Sequence, residues 1–146
     1  MKLRTLVPIA AVVVFGAMQL VRPEKTNPPE VTQLKWDSPQ TRALAERACM
    51  DCHSHQTKWP WYSYVAPLSW LVVHDVDDGR HELNFSNLRM SASGVDKLMR
   101  EIDRQVGEGE MPLPIYLPTH PEARLSAAEK KQLIDGFRAT LKNTYP

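Results

Sequence analysis

A chain of 146 residues and 16.6 kDa is long enough for one domain with its own core and too short for two of ordinary size. Its 18 Lys and Arg against 17 Asp and Glu, or 16 against 17 once Lys2 and Arg4 are set aside, exclude the basic footprint of a nucleic-acid partner. With 42% apolar residues the composition is that of a globular protein, and 12 prolines divide it into a few helices joined by long connections.

Met1 to Arg4 carries two positive charges, and Leu6 to Val21 follows without a charge, interrupted only by Pro8, Gly16 and Gln19. Such a segment is an export signal or a membrane anchor. At about 1.5 Å per residue it covers roughly 24 Å, against roughly 30 Å of hydrocarbon core, so length alone does not separate the two. Cleavage after Ala17 would leave Phe15 where a small residue is wanted, which points to an uncleaved anchor over residues 1–21. The basic N-terminus then faces the cytoplasm, and the rest lies in the bacterial periplasm, tethered to the inner membrane. Arg22 and Lys25 on the far side weaken that asymmetry.

Residues 22–30, with Pro23, Pro28 and Pro29, have no apolar period and read as an extended linker. The folded domain is expected over 31–146. Ser38 followed by Pro39 starts a helix whose face carries Ala43, Leu44 and Ala48, running straight into Cys49. A second helix is predicted from Pro67 to Asp78, with Leu68, Leu71, Val72 and Val76 as its stripe and Gly79 as its stop. A third runs from Ser93 to Val106, carrying Val95, Leu98, Met99, Ile102 and Val106, and ends at Gly107. Ser126 and Glu129 form a capping box for a fourth, with Leu133, Ile134, Phe137 and Leu141 facing inward. No strand pattern or internal repeat is present, so the fold class is all-α with long Pro-rich connections.

The two cysteines are too close in sequence to close a useful disulfide loop. With the residue that follows they read Cys49-Met50-Asp51-Cys52-His53, the CxxCH pattern of c-type haem attachment. Positions three and four apart share a helix face, so Cys49, Cys52 and His53 can address one planar ligand. Two thiols add to two vinyl groups, and the imidazole becomes an axial iron ligand. A zinc site would want a second ligand pair, and His55, His74, His81 and His120 form none at a recognisable spacing. A redox dithiol would follow a strand and has no use for His53. The expected cofactor is one covalently attached haem c, with iron bound by His53.

For the sixth iron position the candidate is Met111, in the constrained loop Gly109-Glu110-Met111-Pro112, although a methionine is more often a core gap-filler. His81 and His120 are its rivals. Met50 should point away from the haem, Met90 and Met99 read as packing residues, His74 suits a helix end, and His55 is too near His53. Trp59, Trp61, Tyr62, Tyr64 and Trp70 follow the motif closely. They can wall a haem, form an ordinary aromatic core, or make a membrane-interface belt.

With these residues laid out, the chain resembles the haem-binding domain family of small bacterial proteins. The matching stretches are Asn27-Pro28-Pro29, Cys49 to His55, Trp59 to Tyr64, Pro67 to Trp70, His81 to Ser86, Gly109 to Pro112 and His120 to Ser126. The resemblance implies an exported haem protein with a compact helical domain similar to single-haem cytochromes c, and Cys49, Cys52 and His53 as haem residues. Met111-Pro112 matches the Met-Pro element common among cytochromes c. The function expected is that of an electron carrier serving redox partner proteins, because iron closed by His and Met changes oxidation state with little rearrangement. The alternatives are a haem-based sensor or ligand-binding module and, for want of an acid and base constellation, more remotely a peroxidase.

Overall fold

The computed structural model describes residues 3–146. Helix α1 (Leu3–Met18) takes up most of the apolar N-terminal run, with Pro8 inside it, and its apolar side chains from Leu6 to Phe15 stand exposed. Among the described residues no helix is long and apolar enough to cross a membrane.

Helix α2 (Pro39–Ala48) starts as its sequence dictates, the Ser38 hydroxyl accepting the Thr41 N–H at 3.2 Å ahead of Pro39. It leads straight to Cys49, as expected, and ends there. Cys49 leaves the helical region at φ −131°, and a four-residue helix α3 (Met50–His53) begins after it. Helix α4 (Leu68–Glu82) departs from expectation, since it passes through Gly79. A Cβ there would lie 2.7 Å from the Cys52 carbonyl oxygen, so this glycine serves a close backbone approach and not a helix stop. The buried stripe of α4 is Ser69, Val73 and Val76, which shares only Val76 with the predicted one, and Leu68 and Leu71 are exposed. The reason is the partner, because α4 packs on α3 and on the short 3-10 turn Trp61–Tyr64.

Helix α5 (Ala92–Glu108) is capped by Ser91 and ends at Gly109 in the left-handed conformation, φ 81°, two residues beyond the predicted stop. Helix α6 (Ala127–Thr144) carries the expected capping box between Ser126 and Glu129. Further 3-10 turns span Phe85–Asn87 and Pro121–Ala123, and among the described residues there is no strand. The fold is all-helical.

Helices α2 and α5 both pack on α6. Leu44 and Ala45 meet Val95, Met99, Ile102 and Val106 around Leu133, Phe137 and Leu141, all buried. Phe85 stacks on Phe137 with ring centres 5.1 Å apart, and so joins this core to the region of α3. Met50 is buried in the same core, turned from the cysteines' face as expected.

The Pro-rich linker is extended, as its prolines require, but it is not free. It lies along the domain as a strap. The Gln19 amide bonds both backbone groups of Ala66, at 3.1 and 2.9 Å, and the Trp70 indole N–H donates to the Val21 carbonyl at 2.8 Å. Asn27 donates to the Thr57 carbonyl, and the Val31 and Thr32 amides both donate to the Ser86 carbonyl. An extended segment has no internal backbone partners, and here the domain supplies them.

Candidate functional site

One cavity of about 360 Å³ gathers Cys49, Cys52, His53 and Met111, a volume within the roughly 300–1,000 Å³ of small-molecule and cofactor sites. Its walls are α3 with the preceding Cys49, one face of α4, and the loop from Met111 to Tyr116 together with His120.

The two cysteines are free thiols. Burial, and after it the nearby Cys52, pushes the Cys49 thiol up to about 12. Burial, then the carboxylates of Asp51 and Asp75, raises Cys52 to about 11. A dithiol built for disulfide exchange needs the opposite, an attacking thiol depressed toward neutral pH. Among the described residues there is also no group of three or more His, Cys, Asp or Glu arranged to hold a metal ion by themselves. The raised thiol pKa values weigh against the redox-dithiol reading of the CxxC pair.

His53 is held with unusual definition. Its Nδ1 lies 2.9 Å from the Gly79 carbonyl oxygen and 3.0 Å from that of Leu83. Carbonyls only accept, so Nδ1 carries the proton and Nε2 keeps a bare lone pair. Burial lowers the imidazole pKa, with the two carbonyls acting in the other direction, and favours the neutral ring. A neutral imidazole with one nitrogen pinned to a carbonyl and the other free is the form that ligates a metal. Gly79 makes this possible, because only a residue without a side chain brings α4 so near Cys52.

Met111 reaches the cavity from a loop tied to the end of α5, where its N–H donates to the Gln105 carbonyl at 3.0 Å, and it also touches the edge of the core. His120 lines the same cavity, stacked on Tyr116 with ring centres 3.8 Å apart, whereas His81 is exposed and does not. His74 is exposed beside Asp78, and His55 is bonded to the Pro29 carbonyl and the Asn84 amide.

The aromatic wall expected from Trp59 to Trp70 is only partly formed. Tyr62 lines the cavity, but Trp61 is 77% and Tyr64 63% exposed, and Trp70 is engaged by the strap. A 3-10 turn places Trp61 and Tyr64, three apart, on one outward side while Tyr62 turns in. Tyr116 completes the wall instead. Its hydroxyl donates to Asp51 Oδ2 at 2.8 Å, and the Lys58 amide donates to Oδ1 at 2.9 Å. Burial, with Asp51 beside it, raises the Tyr116 pKa strongly. Nothing local in the sequence marked Tyr116 or Asp51. On α4 a signal was present: Val72, Asp75, Val76, Gly79 and Glu82 recur at helical spacing, and all line the cavity.

The model of the haem-binding domain family matches residues 13–139. The chain belongs to that family and is a haem-binding protein. No curated protein and no solved structure matches it.

Proposed function

We propose that this member of the haem-binding domain family is a monohaem c-type cytochrome that carries electrons, with the haem attached through Cys49 and Cys52 and its iron bound by His53 and Met111. The observation that carries the reading is His53, whose Nδ1 is committed to two carbonyls while Nε2 is left for iron, in a cavity shared with both thiols and the Met111 thioether. These residues fit a haem. When bound, haem supplies an iron that alternates between two oxidation states.

The chain's own groups do the rest. Cys49 and Cys52, partly buried and protonated in the free chain, are held as thiols and not as a disulfide. Gly79 and Leu83 orient the imidazole, and the Asp51–Tyr116 hydrogen bond ties the Met111 loop to the haem motif. Closing the cavity with these side chains keeps water from the iron and supports a relatively high potential. The apolar run ending at Val21 and the basic residues before it support attachment of the domain to the outer face of a bacterial inner membrane, within reach of redox partner proteins. His120, lining the cavity beside Met111, favours a second reading in which the sixth position exchanges and the protein senses or binds a small ligand.

Absorption spectra of protein made with the cytochrome c maturation machinery test the proposal. Low-spin spectra in both oxidation states, haem that survives a denaturing gel, and slow or absent carbon monoxide binding are expected. Met111→Ala should open the iron, admit carbon monoxide and lower the potential. Haem released to acidic organic solvent would overturn covalent attachment. An unchanged Met111→Ala spectrum would move the ligand to His120.

A further inference from the structure

We propose that the outward surface formed by Trp61, Tyr64, Leu68 and Leu71 is a membrane-docking face, seated in the headgroup region of the same bilayer that receives α1. The inference rests on the reading of the N-terminal run as a membrane segment.

The first observation is exposure. Trp61 is 77%, Tyr64 63%, Leu68 48% and Leu71 38% exposed, within eleven residues of chain. Trp61 and Tyr64 share one side of a 3-10 turn, and Leu68 and Leu71, three apart, share a side of α4. Their neighbours Tyr62 and Val72 face the haem cavity, so this surface is the back of the cavity wall.

The second observation is continuity with the apolar segment. Gln19, just beyond α1, bonds both the N–H and the carbonyl of Ala66, which lies between the two pairs in sequence. The Trp70 indole holds the Val21 carbonyl, and Lys25 Nζ sits 4.3 Å above the Tyr64 ring. Leu20 and Val21, at 83% and 62% exposure, continue the apolar surface from α1 to the domain. Chain that leaves a bilayer at Val21 is therefore already against this face.

Length and chemistry then select lipid as the occupant. A run of roughly 24 Å falls short of a hydrocarbon core of roughly 30 Å, and such a mismatch draws flanking residues into the interface. Trp and Tyr are the side chains preferred at that depth, and Arg22 and Lys25 beside them suit anionic headgroups. The strap, bonded at both ends, fixes the haem cavity at a set height above the bilayer, open to partners that move in it.

The test uses the full haem-loaded chain in vesicles of phosphatidylethanolamine and phosphatidylglycerol. Nitroxides are attached singly at Val12→Cys, Leu68→Cys and Glu108→Cys, and collisions with oxygen, which concentrates in lipid, are compared with those of an aqueous nickel chelate. The oxygen-to-nickel ratio is expected to be several-fold higher at positions 12 and 68 than at 108. Adding Trp61→Ser and Tyr64→Ser should return position 68 to the aqueous value and leave position 12 in lipid. Lipid exposure at 12 with an aqueous 68 in the parent would overturn docking while the anchor stands, and would assign the face to a protein partner. An aqueous position 12 would overturn the anchor reading and this proposal with it.

Discussion

Gly79→Ala tests the reasoning about the site more sharply than any change to a ligand. In an ordinary exposed helix this substitution stabilises by about 1 kcal/mol, because alanine restricts the unfolded chain. Here the added Cβ would stand 2.7 Å from the Cys52 carbonyl oxygen, 3.1 Å from the Cys52 Cβ and 3.2 Å from its carbonyl carbon. These atoms belong to backbone and to the base of a side chain, so α3 and α4 must separate by several tenths of an ångström. Overpacking of that kind costs about 1–3 kcal/mol, and the backbone character of the contact sets it at the upper end. Set against the propensity gain, the net expectation is a loss of about 1–2 kcal/mol. The same movement carries the Gly79 carbonyl away from His53 Nδ1, now 2.9 Å distant. Urea unfolding of parent and variant holoproteins measures the first effect, and the potential of the haem reports the second. A variant as stable as the parent, or more so, would refute the account of why α4 continues through this glycine.

Three further substitutions follow from the same contacts. Tyr116→Phe removes a hydroxyl that donates to Asp51 Oδ2 at 2.8 Å, and should cost about 1.5–3 kcal/mol, read by denaturant unfolding; no change would mean the bond does not hold the Met111 loop. Leu133→Ala empties a fully buried site between α2, α5 and α6 and should cost about 2–5 kcal/mol, with a far smaller effect on the haem spectrum. Glu129 is held at about 2, against 4.5 for an ordinary glutamate, first by the Ser126 N–H and then by Arg47. A depressed carboxylate contributes stability that is full above 4.5 and is lost as pH falls toward about 2, so Glu129→Gln should flatten that part of the stability curve. Parallel curves for parent and variant would remove Glu129 from the acid response.

Helices were legible where one face meets one core. In α5 and α6 the apolar period names the residues that are buried, from Val95 to Val106 and from Leu133 to Leu141. Helix α4 was harder because it serves two surfaces, packing Ser69 and Val73 on one side and offering Val72, Asp75, Val76 and Gly79 to the cavity on another. Its period therefore fits more than one stripe, and Gly79 reads equally as a stop or as a place of contact. The CxxCH pattern could be read because it lies within five consecutive residues, and the cavity does gather Cys49, Cys52 and His53. Tyr116 and the carbonyls of Gly79 and Leu83 were not legible, since they reach His53 and Asp51 from 26 to 65 residues away along the chain.

Arg80 shows why strap and site act together. Its guanidinium donates from Nε to the Ser54 carbonyl at 2.8 Å, from Nη2 to Thr57 Oγ1 and Asn27 Oδ1 at 2.9 Å, and from Nη1 to the Thr26 carbonyl at 2.9 Å. Burial lowers its pKa, first among the influences on it, yet it remains a cation at any physiological pH. The planar fork spans groups that a single ammonium could not satisfy together, which is why the position calls for arginine and not lysine. Two of its partners follow the haem motif directly, and two belong to the Pro-rich segment. Arg80 itself follows Gly79, whose carbonyl orients His53. Movement of the strap is therefore one covalent residue from the His53 hydrogen bond, and a segment that reads in sequence as an extended tether is mechanically part of the candidate site.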